Sequence, residues 1–96
     1  MRPAGRFRIA SAHPSLAGHF PGRPIVPGVV LLDEMFAVIG GRRVVSLSTV
    51  KFLVPVLPDQ EVAVLLDERP DNRLAFECTV AGRAVLRGTL VLGEAS

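Results

Sequence analysis

Residues 18–29 read GHFPGRPIVPGV, and the interpretation of the rest of the chain starts from this stretch. Three of its twelve residues are proline and three are glycine, so it fits neither a regular helix nor a central strand. It also holds Phe20, Ile25 and Val26, apolar side chains that a solvent-exposed linker does not need. We therefore predict an ordered and partly buried loop.

A helix is predicted directly after this loop, over residues 28–39 (GVVLLDEMFAVI). Pro27 precedes it, and proline is favoured at a helix start, while Gly40 and the glycine after it form a good C-terminal signal. The segment is apolar nearly all round, which is typical of a helix buried on most sides. Asp33 and Glu34 are its only charged residues, and as helix neighbours they point about 100° apart.

The remaining chain is predicted to be β structure. Alternating segments predict strands at residues 7–12, 44–53, 61–66, 74–81 and 84–92. A turn is predicted at residues 67–73, and Gly82-Arg83 suits a two-residue hairpin turn. One buried helix followed by an antiparallel meander is an α+β layout, and 96 residues suit a single domain spanning 1–96.

Composition narrows the classes of function. A net charge of +2 and the absence of Trp and Tyr argue against nucleic-acid binding. No apolar run approaches 18 residues and no signal-peptide core is visible, so neither a membrane span nor export is expected, and a cytoplasmic location is predicted. Cys78 is the single cysteine and is expected to be a small core residue. The apolar fraction of 49% favours burial against a second copy.

Three features are candidates for chemistry, each with a structural alternative. His19 suits a general base, or it is a histidine that hydrogen-bonds the loop backbone. Asp33 among apolar neighbours requires a partner, a cleft or protonation, or it points to solvent at the helix edge. The free N–H groups at Gly28 suit polarisation of a carbonyl, or they belong to a simple turn. His13 and His19 have no acidic or cysteine partner nearby in the loop, so no metal site is predicted.

The stretch 18–29, followed by apolar residues to Asp33, resembles the signature of the hot-dog-fold 3-hydroxyacyl-[acyl-carrier-protein] dehydratases. Residues 50–56 (VKFLVPV) with Pro58 and Asp59 resemble the family's strand, kink and loop after its central helix. The resemblance covers most of the chain from Ala12 onward. It implies a hot-dog fold, in which a curved antiparallel sheet wraps a central helix, and a homodimer paired edge to edge with active sites at the interface.

The resemblance also implies roles. His19 matches the catalytic histidine, and Asp33 falls on the acidic position, facing the histidine of the other subunit. The residues implied to bind substrate, with an oxyanion site at the first two, are Gly28, Val29, Phe20 and Pro27. The implied reaction removes water from a 3-hydroxyacyl thioester in fatty-acid or related acyl-chain biosynthesis. It needs no cofactor beyond the phosphopantetheine of acyl carrier protein or coenzyme A, and assembly beyond the dimer is possible.

The sequence departs from the family pattern in three places. One large branch has Glu where Asp33 stands, while the branch that also isomerises the double bond has Asp. The chain also starts close to the motif, apparently without part of the N-terminal strand region, and Gly40 ends the helix early. These departures keep open a thioesterase, in which Asp33 or Glu34 activates water, and a non-catalytic acyl-binding subunit. An acidic carrier is expected to meet Arg23 or Arg42-Arg43.

Overall fold

A computed structural model describes residues 1–12 and 25–93. In these residues the elements are β1 (Arg2–Arg8), α1 (Gly28–Ile39), β2 (Val44–Phe52), β3 (Glu61–Arg69), β4 (Arg73–Val80) and β5 (Arg83–Leu92). The five strands form one antiparallel sheet in the order β1-β3-β4-β5-β2. The predicted α+β class is confirmed, but only β3, β4 and β5 form a meander, because β2 pairs with β5 at the opposite edge from β1.

The predicted bounds of α1 are confirmed. Pro27 has the extended backbone of an N-cap (φ −60°, ψ 144°), and Gly40 ends the helix at φ 77°, a left-handed region that favours glycine. The N–H of Gly40 donates to the carbonyl of Phe36 at 3.2 Å, which satisfies one of the last helical acceptors. At 12 residues, α1 is too short to cross a membrane, and no other helix occurs in the described ranges.

Helix α1 is buried or half-buried except along one row of residues, in agreement with the prediction of a helix buried on most sides. Val30, Leu31 and Met35 are buried against the sheet. An exposed row on α1 consists of Val29, Asp33 and Ala37. Their four-residue spacing places the three side chains on one face of the helix. The single chain thus leaves an apolar helix row with one carboxylate in solvent.

The core lies between α1 and one face of the sheet. Alternate residues of the three central strands face it, as the paired row of Val64, Cys78 and Leu86 shows. The prediction that Cys78 is a small core residue is confirmed, because only 1% of it is exposed. Desolvation, and then the nearby Glu77 carboxylate, raise the pKa of its thiol to about 12.

Several strand boundaries differ from the predicted ones. β1 begins at Arg2 rather than at residue 7, so an N-terminal strand of seven residues is present. β3 continues to Arg69, which confines the turn to residues 70–72, where Asp71 and Asn72 both have φ near 60°. These residue types tolerate the left-handed region, which makes a tight turn possible without glycine.

The β4–β5 hairpin turns one residue earlier than predicted. Its two central residues are Ala81 and Gly82, at φ 50° and 79°, between the paired residues Val80 and Arg83. Two positive φ values in succession suit the right-handed twist of a two-residue hairpin. The prediction placed glycine first in the turn, whereas it occupies the second position.

Candidate active site

The start of α1 presents backbone N–H groups that have no acceptor among residues 1–12 and 25–93. No side-chain hydrogen bond caps the helix at Pro27. Among the described residues, the first helical N–H with an acceptor is that of Val30, which donates to the Pro27 carbonyl at 3.0 Å. The N–H groups of Gly28 and Val29 precede it, at the positive end of the helix dipole. Such donors can stabilise negative charge that develops on a carbonyl oxygen.

An apolar cleft opens beside these donors. Its volume is about 240 Å³. It is lined by Ile25, Val26, Gly28, Leu31 and residues 52–56. The N–H of Val26 donates to the carbonyl of Val56 at 2.8 Å, which ties the segment before α1 to the segment after β2. The two segments therefore lie side by side and together line the cleft next to the first turn of the helix.

Phe52 at the end of β2 lies directly against the helix start. A Cβ atom built on Gly28 would stand 2.6 Å from Cζ of Phe52, so only glycine allows the ring this close. The ring is nevertheless 53% exposed, because α1 covers it on one side only. The sequence analysis gave Phe52 no role. The two residues are 24 positions apart, and only the sheet order brings them together.

Asp33 lies on the same face of α1 as Val29, one turn further along. Residues four apart on a helix have Cβ atoms about 5–6 Å from each other, so the carboxylate stands near the donor end. Asp33 is exposed, and within the described ranges none of the ion pairs includes it. Of the alternatives that the sequence leaves open for Asp33, the single chain agrees with a carboxylate that faces solvent or an open cleft. Glu34 points away from this row and is half-buried.

Four predicted site residues are thus brought to one end of the fold. Pro27, Gly28 and Val29 form the helix start, and Asp33 follows one turn later. The predicted catalytic His19 and the predicted substrate contact Phe20 lie outside the described residues. The same holds for His13 and Arg23. No cluster of metal-ligating side chains is found in the part of the chain that the structure describes.

Arg42 and Arg43, the predicted contacts of an acidic carrier, lie at the other end of α1. They line a groove of about 740 Å³ together with Arg69 and Arg73. Arg42 binds both carboxylate oxygens of Glu68, at 2.7 and 3.1 Å. These hydrogen bonds, followed by that from Arg2, hold the pKa of Glu68 at about 2. Much of the charge of Arg42 is therefore compensated within the chain.

A known family matches nearly all of this architecture. The model of the ApeI-like family, described as ApeI dehydratase, matches residues 2–89. The chain belongs to this family. The match begins in β1, so the N-terminal strand is part of what the ApeI-like dehydratases share.

Individual relatives agree with the family match. The 3-hydroxyacyl-[acyl-carrier-protein] dehydratase FabZ of Geotalea uraniireducens (strain Rf4) is 29% identical over 103 residues, covering 93% of this chain and 70% of the relative. This similarity confirms a dehydratase of the FabZ and ApeI type, as the resemblance implied.

Solved structures confirm the hot-dog fold of this ApeI-like dehydratase. The dehydratase heterocomplex ApeI:P from Xenorhabdus doucetiae superposes with a TM-score of 0.78 at 21% identity, covering 93% of this chain and 84% of that one. An uncharacterized protein from Erwinia carotovora subsp. atroseptica gives a TM-score of 0.75 at 23% identity, covering 92% and 79%.

Proposed function

We propose that this ApeI-like dehydratase removes water from 3-hydroxyacyl thioesters to give 2-enoyl thioesters, in fatty-acid or related acyl-chain biosynthesis. The observation that carries the proposal is the start of α1, where backbone donors open onto an apolar cleft. A thioester carbonyl bound to the N–H groups of Gly28 and Val29 would direct its acyl chain into that cleft. Among the described residues, no charged side chain lines the cleft, as an acyl chain requires.

The chemistry follows from that placement. Polarisation of the carbonyl stabilises the enolate-like state formed when a proton leaves C2. In the proposal, the imidazole of His19 takes this proton, the C2–C3 double bond forms, and the C3–O bond breaks. Asp33 or the protonated His19 gives a proton to the leaving hydroxyl, which departs as water. Protons and electrons balance without a redox or metal cofactor, so the phosphopantetheine carrier of the thioester is the only prosthetic group invoked.

A second copy of the chain is proposed to complete the site. Val29, Asp33 and Ala37 form an uncovered row on α1, and β2 is an uncovered strand at the adjacent edge of the sheet. Pairing of two β2 strands would cover both and bring Asp33 towards the His19 of the partner subunit. The similar ApeI protein is part of a heterocomplex, so a different hot-dog chain is the alternative partner to test. Native mass measurement of the purified protein separates the two.

The proposed substrate carrier is acyl carrier protein or coenzyme A. Arg43 and Arg73 line the groove beyond the end of α1, and none of the ion pairs among the described residues includes either of them. A surface with uncompensated arginines suits an acidic carrier or the phosphates of coenzyme A. A kinetic comparison of the same acyl group on the two carriers identifies the preferred one.

The experiment that tests the function is hydration of a 2-enoyl thioester, the reverse reaction, by the purified protein. His19→Ala and Asp33→Asn are each expected to lower kcat by about 10²- to 10⁴-fold, the usual contribution of an acid or base. Glu34→Gln is the matched control, since it removes a neighbouring carboxylate on another face of α1 and is expected to leave hydration unchanged.

The outcome can contradict the proposal in two ways. Release of free thiol from saturated acyl thioesters, lost in Asp33→Asn or Glu34→Gln, would identify a thioesterase instead. Tight binding of thioesters without any chemical change, unaffected by His19→Ala, would identify a non-catalytic subunit. Hydration that persists fully in His19→Ala would refute the proposed base.

A further inference from the structure

We infer that Phe52 selects substrates by the bulk of the acyl group at C2, next to the thioester carbonyl, rather than by chain length. The inference rests on the proposed function and adds a specificity-determining residue to it. Its basis is the position of the Phe52 ring, which contacts the one glycine whose N–H begins the proposed oxyanion site.

The distance from the ring to the helix start fixes which part of a substrate it can meet. A carbonyl oxygen held by the N–H groups of Gly28 and Val29 leaves C2 only two bonds away from that oxygen. The ring lies within van der Waals contact of Gly28, since Cζ and Cε1 stand 2.6 and 2.8 Å from a Cβ position there. Atoms attached to C2 would therefore lie against the exposed side of the ring, beside the first turn of α1.

The far end of an acyl chain meets other residues. Residues 53–56 and Leu31 line the part of the cleft that Phe52 does not. Leu31 and Val56 are buried and packed into the core. Chain length is consequently limited by this inner wall, whereas branching at C2 is limited by Phe52.

The Phe52 side chain can also be replaced without disturbing the core. It is 53% exposed and does not belong to the buried cluster. Its removal is therefore expected to widen the entrance of the cleft while leaving the packing between α1 and the sheet intact.

The test compares three substrates as thioesters of N-acetylcysteamine: crotonyl, its 2-methyl-branched analogue, and linear 2-octenoyl. In Phe52→Ala, kcat/KM for the branched substrate relative to crotonyl is expected to rise about tenfold or more, the usual effect of one methyl group in an apolar pocket. Phe52→Leu is expected to be intermediate, and the ratio of octenoyl to crotonyl is expected to stay within about twofold. Leu57→Ala is the matched control, because Leu57 is a similarly exposed apolar residue (48%) that lies outside β2 and does not line the cleft.

The outcomes distinguish failure of the inference about Phe52 from failure of the proposed function. An unchanged branched-to-linear ratio in an active Phe52→Ala enzyme, or a shift in the octenoyl ratio alone, overturns the role of Phe52. If no variant and no wild-type protein hydrates any thioester, the proposed function fails. Thermal-shift titration with the same three thioesters then still measures the preference, and equal shifts for branched and linear compounds in Phe52→Ala and wild type would overturn the inference independently.

Discussion

Strands β1 and β2 are the two edges of the sheet, since each hydrogen-bonds to one neighbour, β3 for β1 and β5 for β2. The seven residues of β1 include three arginines and a proline, and its pairing with β3 is irregular between Pro3 and Gly5. The nine residues of β2 include one charge, at Lys51, and leave Val45 and Leu47 exposed by 57% and 38%.

This difference indicates that β1 is the edge protected from pairing with another chain. Arginines, proline and a break in register are the means by which soluble proteins keep an edge strand from pairing with another chain. The arginines of β1 are also held in place, because Arg6 and Arg8 bind Glu61 on the neighbouring strand at 2.8 and 3.5 Å. β2 also has breaks in register, between Val44 and Ser46 and between Leu47 and Thr49, but it has no arginine or proline. Its exposed apolar side chains suit the proposed contact with a second chain.

The largest expected effect is loss of the proposed dimer on introducing charge into β2. Leu47 is 38% exposed in the single chain, so burying this remainder contributes roughly 1 kcal/mol per copy, and Leu47→Lys in both copies should raise the dissociation constant by at least about tenfold. Analytical ultracentrifugation measures this change, and hydration activity should fall with the dimer fraction. Pro3→Lys, which adds the same charge to β1, is the control and should leave the mass unchanged. A dimer that survives Leu47→Lys would exclude β2 as the interface.

A moderate effect is expected from removing the protection of β1. The double variant Arg6→Val and Arg8→Val should show an average mass that increases with concentration in light scattering, because two uncharged edges can then pair. Its free energy of unfolding should change by less than about 1 kcal/mol, since exposed ion pairs contribute little. Replacing Arg83 and Arg87 of β5 by valine removes equal charge from an inner strand. Association in this control as strong as in the β1 variant would mean that net charge, not the edge, prevents it.

The smallest expected effect is on thermal stability, through the ion pairs at the start of β1. Glu68 binds Arg2 of β1 at 3.0 Å and also Arg42, and these contacts lower its pKa to about 2. A lowered folded pKa means that the stabilisation is present above the ordinary carboxyl pKa near 4.5 and is lost as pH falls through about 2.

Glu68→Gln should therefore lower Tm slightly at pH 7, and the difference from wild type should shrink between pH 4.5 and 2. Asp71→Asn is the control, as an exposed carboxylate with no ion pair among the described residues. Equal Tm values for Glu68→Gln and wild type at pH 7 would show that the cluster does not stabilise the fold.

The sequence was most informative where local chemistry decides structure. Pro27 and Gly40 bound α1 at the predicted residues, because one presets the helical φ and the other adopts a left-handed φ that ends it. The start of β1 escaped prediction, since arginine, proline and glycine are unfavourable for a strand in general and acceptable at an edge. The β4–β5 turn was misplaced by one residue because Ala81 adopts a positive φ that its side chain disfavours.

The site was less predictable, because much of it depends on contacts distant in sequence. Gly28, Val29 and Asp33 lie within one short helix, so their proximity follows from the sequence alone. The contact between Phe52 and Gly28 requires β2 to lie beside β5, which no local pattern specifies. The environment of Asp33 depends on what covers the exposed row of α1, and a single chain does not contain that information.

The buried thiol of Cys78 has a consequence for the proposed reaction of acyl thioesters. Thiolates exchange with thioesters, so an accessible cysteine would accept acyl groups from the substrate and leave the protein covalently modified. Burial raises the pKa of the Cys78 thiol to about 12, so the thiol stays protonated at neutral pH, and the core shields it from solvent. The chain holds no other cysteine. The proposed thioester substrate therefore meets no reactive thiol in this sequence to which its acyl group could be transferred.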